Sequence, residues 1–446
     1  MSRYNHVLSI EGQSHLFNAY RRGLHQVDES VVFALDCLGR GEQNWDAGLA
    51  EEFRRTLIES GYVVDDEFDE HQVLLKEREL IRLSEVTVAL TIAPTIDCNF
   101  ACPYCFEGGD KPQLRMSSAT MDAVVHFARS QITEATQGLA VTWFGGEPLL
   151  GLKQIEEMTA KLKEQIVDQR HLQYNASIVT NGYGLTRKIA ERLRDLGVSH
   201  AQITLDGTAE HHNRRRFRKG GDATFDRIVQ NIVASRDLLN ISIRVNVDSE
   251  NRESFTPLVK YLYEELELHD QVRVYPAMMR DDGSETWGKA YSCMSDYTAD
   301  QVALHREAVQ HGVRVLHYPQ AMRLYCGASK PKFWVVSPTG DLHKCWDTIN
   351  DPSRAVGNVS TQRVDADGHD QWLQWSPFQH EKCRQCSMMP LCMDGCPHHA
   401  FQQGGDPQCD QWKFGLLESI EVWVQDRTQA TAQQASLNPS RASTTS

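Results

Sequence analysis

The chain has 446 residues, with 60 Asp and Glu against 46 Lys and Arg, a net charge of −14. That length can bury a large core and sets a prior of about three domains, and the acidic balance argues against nucleic-acid binding through bulk charge. A hydrophobic share of 41% with no apolar run of membrane-span length, and an N-terminus without the basic-then-apolar pattern of a signal peptide, predict a cytoplasmic protein with neither nucleic acid nor membrane as partner.

In chain order, residues 4–10 and 15–20 read as short strands, 29–38 and 49–60 as helices, and 62–64 as a closing strand. The acidic run 65–70 reads as a solvated linker. From residue 86 onward, strands alternate with helices. Strands are expected at 86–94, 139–144, 176–180, 201–205, 241–247 and 272–275, and helices at 117–133, 152–168, 186–196, 225–239 and 254–266. Such alternation implies βα units and a parallel sheet, curled by right-handed crossovers into a barrel or partial barrel. A helix over 412–425 and a disordered, Ala/Ser/Thr/Gln-rich tail complete the chain. Polar and Gly-rich motifs follow the strands: Gly145-Gly146-Glu147-Pro148, Asn181-Gly182 and Asp206-Gly207. Ligands bind at the carboxyl ends of parallel strands, so these motifs are expected on one face. Each alone is more often simply a tight turn.

The twelve cysteines are poor candidates for a disulfide framework in a chain without an export signal, and clustered thiols then point to metal. Cys98-x3-Cys102-x2-Cys105 follows the first strand of the alternating region. Three thiolates leave a zinc site one ligand short, but they can hold three irons of a [4Fe–4S] cube and leave the fourth open. Zinc completed by a distant His or Cys is the alternative. Farther on stand Cys326, then Gly340 and Cys345, then Cys383-x2-Cys386-x5-Cys392-x3-Cys396, and Cys409. This order is a strong metal-binding signal, with a pair of zinc-ribbon sites as the alternative.

The three-cysteine loop with Tyr104 between its last two thiols resembles the radical S-adenosylmethionine (radical SAM) superfamily, and the seven later cysteines are similar in every spacing to the SPASM domain signature. The resemblance implies an α/β fold with a partial (β/α)6 barrel over 86–310 and a loop-rich SPASM domain over 320–427, before the tail at 428–446. It implies that Cys98, Cys102 and Cys105 ligate a cluster whose open iron binds S-adenosylmethionine. Gly145, Gly146 and Glu147 resemble the motif that holds the methionine ammonium. Thr180, Asn181, Asp206 and Asn246 are expected near the cofactor. Two auxiliary [4Fe–4S] clusters are implied, one on Cys326, Cys345 and Cys396 with an open iron, the other on Cys383, Cys386, Cys392 and Cys409, three clusters in all. Cys293 is more simply an incidental thiol than a further ligand, and Cys37 a core residue.

Residues 1–80 resemble the small α+β, winged-helix-like leader-recognition domains of peptide-modifying relatives, with a packing extension as the alternative. The basic run Arg214, Arg215, Arg216, Arg218 and Lys219 follows Asp206-Gly207. One of its arginines is a candidate for the cofactor carboxylate, and the rest read as a solvated loop. The leading functional expectation is a radical SAM oxidoreductase that matures a ribosomally made precursor peptide (RiPP) bound through its leader, installing a thioether or carbon–carbon crosslink. An electron donor such as flavodoxin or ferredoxin would supply it. An anaerobic sulfatase maturase forming formylglycine is the second expectation. It is weakened by Glu107 in place of that group's Tyr, and by Trp346 in place of its Asp. Asp347, one residue farther on, is then a shifted candidate base. A non-catalytic iron–sulfur or zinc scaffold is the third.

Overall fold

The computed structural model describes residues 1–108, 113–279, 290–311, 313, 318–393 and 395–437, with side chains to 428 in the last helix. The chain forms two compact units. One comprises Met1–Arg82, Gln301–Cys326 and Ser376–Ser446, the other Leu83–Asp300 and Gly327–Trp375.

The first unit begins with an antiparallel sheet of β1 (Asn5–Ile10), β2 (Gln13–Asn18) and β3 (Leu24–Gln26) in that order. Glu11 and Gly12, both at positive φ (50° and 76°), make the two-residue turn that matches strand twist in a hairpin. Three helices follow, Glu29–Gly39, Glu51–Glu59 and Glu70–Arg82. Asp28 caps the first, accepting from Ser30 and Val31 N–H at 2.9 and 3.1 Å. The strand expected at 62–64 does not form, and Leu24–Gln26 is the third strand instead. Tyr62 is buried, its hydroxyl donating to Leu16 O at 3.1 Å and its carbonyl accepting from Ser2 N at 3.0 Å. The run 65–70 ends in a buried Glu70 that accepts from Ser2 Oγ at 2.7 Å and Arg3 N at 2.9 Å, so it is not wholly a solvated linker.

Leu8, Ile10, Phe17 and Leu74 share one apolar cluster with Phe378, Leu391, Met393, Trp412 and Ile420. The N-terminal α+β segment and the cysteine-rich C-terminal segment therefore fold around a common core, rather than as separate domains at 1–80 and 320–427. The last helix runs Trp412–Leu437 with a kink at Gly415, so the tail expected to be disordered from 428 starts as helix. Residues 438–446 lie outside the described ones.

In the second unit, β4 (Thr87–Ile92), β5 (Gly138–Trp143), β6 (Gln173–Thr180), β7 (Val198–Thr204), β8 (Asn240–Val247) and β9 (Val272–Met278) are parallel neighbours in chain order. Helices cross between them, as the alternation predicted. Register places Ile92, Trp143, Ile178, Ala201, Ile241 and Val272 in one row, every one buried. The other face is polar and half-open, and Thr142 bonds Ser177 there at 3.0 Å. A sheet buried on both faces reads as continuous apolar runs. The alternation in β5, β6 and β8 instead marks a sheet with one side left for a ligand.

The sheet is open, and it does not stop at β4. The strand β10 (Phe333–Val336) pairs parallel to β4, and β11 (Asp341–His343), β12 (Gly357–Asn358) and β13 (Arg363–Val364) continue antiparallel. Residues expected in a separate C-terminal domain thus extend the barrel sheet, covering an edge that would otherwise show unpaired backbone groups. Among the described residues, no helix is long and apolar enough to cross a membrane.

Candidate functional site

The loop after β4 carries Cys98, Cys102 and Cys105, and all twelve cysteines of the chain are unbridged. Cys98 is buried, and Cys102 and Cys105 are half-buried. Phe100 pairs with Arg218 as an isolated bridge, and Ala101 N–H donates to Phe217 O at 2.9 Å. The cysteine loop is thereby laced to the segment that follows β7.

Two further clasps hold the loop. The first is built by Gly145-Gly146-Glu147 after β5. Gly145 has φ +114°, and a Cβ there would lie 2.2 Å from Thr95 O. A Cβ on Gly146 would lie 2.3 Å from Ile96 O and 2.5 Å from Asp97 O. Only glycine lets this turn press against the base of the cysteine loop, where Glu147 N–H donates to Asp97 O at 2.8 Å. The buried Glu147 carboxylate accepts from Thr180 Oγ1 (2.7 Å) and Leu149 N (3.0 Å) on one oxygen, and from Asn181 N (2.7 Å) on the other. Burial raises its pKa, while the Asn181, Thr180 and Leu149 donors pull the other way. Asn181 Nδ2 completes the clasp by donating to Asn99 Oδ1 in the cysteine loop at 2.8 Å. The missing side chains of Gly145 and Gly146 allow this close packing, and the Glu147 carboxylate keeps acceptor capacity on Oε2.

The second clasp lies at the ends of β7 and β8. Tyr104 Oη donates to Asp206 Oδ2 and accepts from Arg216 Nη1 at 2.7 Å and Asn246 Nδ2 at 3.4 Å. Asp206 is wholly buried, and its Oδ1 accepts from Asn246 N at 3.1 Å. Arg215 Nη1 donates to Asp248 Oδ2 at 2.7 Å, with its Nε 3.6 Å from Asp206 Oδ2. Tyr104 is held well above an ordinary phenol by desolvation first, with Asp206 and Cys102 adding to the effect. Burial opposes the charge of Arg216, yet Tyr104, Cys102 and Asp206 together raise it well above the ordinary value. A fixed cation therefore sits beside Cys102. Among the described residues, its buried Nε has no hydrogen-bond partner. Three soft thiols, a half-buried cation and a spare donor form a set that fits an anionic iron–sulfur group and an anionic ligand.

The predicted face is thus assembled. Cys98, Cys102, Tyr104, Cys105, Gly145, Gly146, Glu147, Thr180, Asn181, Asp206 and Asn246 all stand at the carboxyl ends of neighbouring strands or on the loop these ends hold. Sequence reasoning passed over Asn99, Asp248 and the buried His212, whose Nδ1 accepts from Asp206 N at 3.2 Å. Burial, Arg216 and Arg215 hold His212 well below the usual imidazole range. The spacing after Asp206-Gly207 was the only signal for it. The basic run does not act as a patch: Arg214 pairs with Glu210, Arg218 with Asp222 and Lys219 with Asp97.

The C-terminal thiols divide between the units. In the first unit, Cys383 lies within electrostatic range of Cys386, Cys392 and Cys409, and Cys392 within range of Cys409. Burial lifts Cys383 to about 11, Cys409 and Cys386 adding to it, and lifts Cys392 further. Cys326 and Cys396 also belong to this unit, and Cys345 belongs to the other. Asp347 is exposed, on the turn Trp346–Thr348. Among the described residues, no three His, Cys, Asp or Glu side chains converge on a single metal-ion position.

Residues 92–262 match the family model of the radical SAM superfamily. The chain carries a radical SAM domain. It is similar to the radical SAM cyclopropyl synthase TigE of Paramaledivibacter caminithermalis, 23% identical over 268 residues, and the match spans only about half, 54%, of each chain. It is also similar to the serine-type anaerobic sulfatase-maturating enzyme of Klebsiella aerogenes, 23% identical over 337 residues, 70% of this chain and 80% of that one. Among solved structures, native anSMEcpe with bound AdoMet shares the fold with a TM-score of 0.57 at 19% identity, over 75% of this chain and 98% of the other.

Proposed function

We propose that this radical SAM protein is a maturase that abstracts hydrogen from a ribosomally made precursor peptide and forges a thioether or carbon–carbon crosslink. The observation that carries the radical chemistry is the doubly clasped cysteine loop, with three unbridged thiols and the half-buried Arg216 cation on one face of a parallel sheet. The polypeptide substrate is supported by similarity to a sulfatase-maturating enzyme.

Cys98, Cys102 and Cys105 would hold a [4Fe–4S] cluster that, with S-adenosylmethionine, supplies a 5′-deoxyadenosyl radical. The chain's own residues set the stage for it. Tyr104, Asp206 and Asn246 orient the loop, and Glu147 with Thr180, Asn181 and Asn99 fixes it from the other flank. The Arg216 guanidinium offers its spare donor to a carboxylate. Glu147 Oε2 retains room for one further donor, as an ammonium needs. Cys383, Cys386, Cys392 and Cys409 are assigned to one auxiliary cluster. Cys326, Cys345 and Cys396 are assigned to another on the resemblance to SPASM domains. An external flavodoxin or ferredoxin would reduce the clusters. The outer edges of β1 and β3 are where a leader strand would add.

Formylglycine formation is the second reading, favoured by the 80% coverage of the Klebsiella relative. It requires a base, and the acid nearest the expected position, Asp347, is displaced by one residue and exposed.

The test is anaerobic reconstitution, iron and sulfide analysis, and addition of S-adenosylmethionine with dithionite. About twelve irons with 5′-deoxyadenosine formed are expected for three clusters. Zinc in place of iron with no 5′-deoxyadenosine would make the thiols a structural scaffold.

A further inference from the structure

Trp346 follows Cys345 on the short turn Trp346–Thr348. Its side chain is 43% exposed, and one face of the ring is stacked on Phe144, with centroids 5.5 Å apart and planes 20° from parallel. Phe144 is itself buried and immediately precedes Gly145-Gly146-Glu147. The turn is fixed from beneath and from the side. Ile349 packs with Ala93, Phe144 and Val335. Thr348 Oγ1 donates to Cys345 O at 2.9 Å, and Asn350 Nδ2 donates to Glu107 O at 3.2 Å. Glu107 adjoins Phe106, which is 50% exposed. Two open aromatic rings thus belong to two loops joined by a hydrogen bond.

A single exposed ring is ordinary on any surface. This one is anchored, stacked on one face and open on the other, at the carboxyl ends of β4 and β5 where ligands bind in parallel sheets. A rigid aromatic presents apolar area at little entropic cost. Of the polar groups suited to a zwitterionic cofactor, Asn181, Asp206 and Arg216 lie toward β6 to β8, and Glu147, after β5, turns its carboxylate to Thr180 and Asn181 at the end of β6. The ring lies toward β10, β4 and β5.

We infer that the open face of Trp346 receives a large apolar side chain, aromatic or aliphatic, of the polypeptide substrate. Trp346 is then a specificity-determining contact, with Phe106 beside it. This inference rests on the polypeptide reading of the function.

The full-length, reconstituted protein labelled with 5-fluorotryptophan provides the test, the Trp346 fluorine resonance being identified by its loss in Trp346→Phe. The probes are N-acetyl-phenylalanine amide, N-acetyl-leucine amide, N-acetyl-aspartate amide and S-adenosylmethionine, each titrated alone. The Trp346 resonance should move saturably with the first two and not with the aspartate amide. Phe106→Ser, a surface change, should raise the half-saturating concentration several-fold. No movement with the apolar amides, equal movement with the aspartate amide, or movement with S-adenosylmethionine alone would overturn the inference. In parallel, 5′-deoxyadenosine formation is measured on the unlabelled wild type. If none forms, the radical reading fails, while the fluorine result still judges the ring.

Discussion

The cysteine loop of the barrel and the cysteine-rich C-terminal segment both gather thiols, but by different means. The barrel loop is held by groups that are not ligands: Asn181 on Asn99, Arg216 and Asp206 on Tyr104, and a glycine turn pressed against Thr95, Ile96 and Asp97. The C-terminal thiols stand on short turns over an apolar core, and burial raises Cys383 and Cys392 against ionisation. The barrel loop takes its order from groups that are not ligands. On the proposed function, the C-terminal thiols would need metal charge to be held ionised, which would couple their order to the metal.

The largest effect that sharpens this contrast comes from changing Cys98, Cys102 and Cys105 together to Ala. Formation of 5′-deoxyadenosine should fall at least ~10³-fold, while about two thirds of the iron remains. Undiminished cleavage in that variant would remove the barrel loop as the reactive site. Next is Glu147→Ala, which strands the Thr180 hydroxyl and the Asn181 and Leu149 N–H groups in a buried place. A stability loss of about 3 kcal/mol or more is expected in denaturant melts. A loss under 1 kcal/mol would mean that Glu147 is not the clasp described.

Acid should weaken the barrel unit as well. His369 is lowered to about 4 by burial, with Lys344 adding to it, and the buried His212 is also lowered. Both are neutral when folded and take up a proton more readily when unfolded. Their contribution is present above the unfolded pKa near 6.5 and is lost as the pH falls toward 4. For His369 this is on the order of 2 to 3 kcal/mol. A profile of urea midpoints between 7 and 4.5 that falls less steeply in His369→Gln than in the wild type would assign that part of the slope to this residue, and an unchanged slope would remove it. The smallest effect is Tyr104→Phe, which removes the hydroxyl that joins Asp206, Arg216 and Asn246. Cleavage of S-adenosylmethionine should drop about tenfold with iron content unchanged, a barrier change of about 1.4 kcal/mol. A tenfold drop accompanied by loss of a cluster would make Tyr104 a determinant of assembly instead.

Stripping iron with a chelator breaks the comparison if it is wrong. Amide exchange should rise chiefly around Cys383 to Cys409 and little around Cys98 to Cys105. Equal loosening of both segments would show that the barrel loop too depends on its metal.

Much of this was legible in the chain. The period of the apolar residues placed the six parallel strands, because an alternating β/α pattern has few ways to bury its faces. The thiol spacings and the motifs after the strands placed the candidate face, because ligands meet parallel sheets at strand ends. Local pattern misled where burial depended on a distant partner. Tyr62 has the composition of a strand residue, yet its hydroxyl is committed to Leu16. Glu70 sits in an acidic run, yet Ser2 and Arg3 need it.

The sequence by itself therefore determined the parallel α/β core, the three-thiol loop and the motifs that follow the strands, since these rest on short-range spacing and periodicity. Tertiary structure alone decided that β10 to β13 extend the barrel sheet and that the N-terminal strands share a core with the C-terminal cysteine segment. It also decided that the glycines and Glu147 clasp the cysteine loop, and that Trp346 lies open upon Phe144. Each of these is a contact between residues far apart in the chain. No local propensity encodes such a contact, because its free energy exists only once both surfaces have been brought together and desolvated.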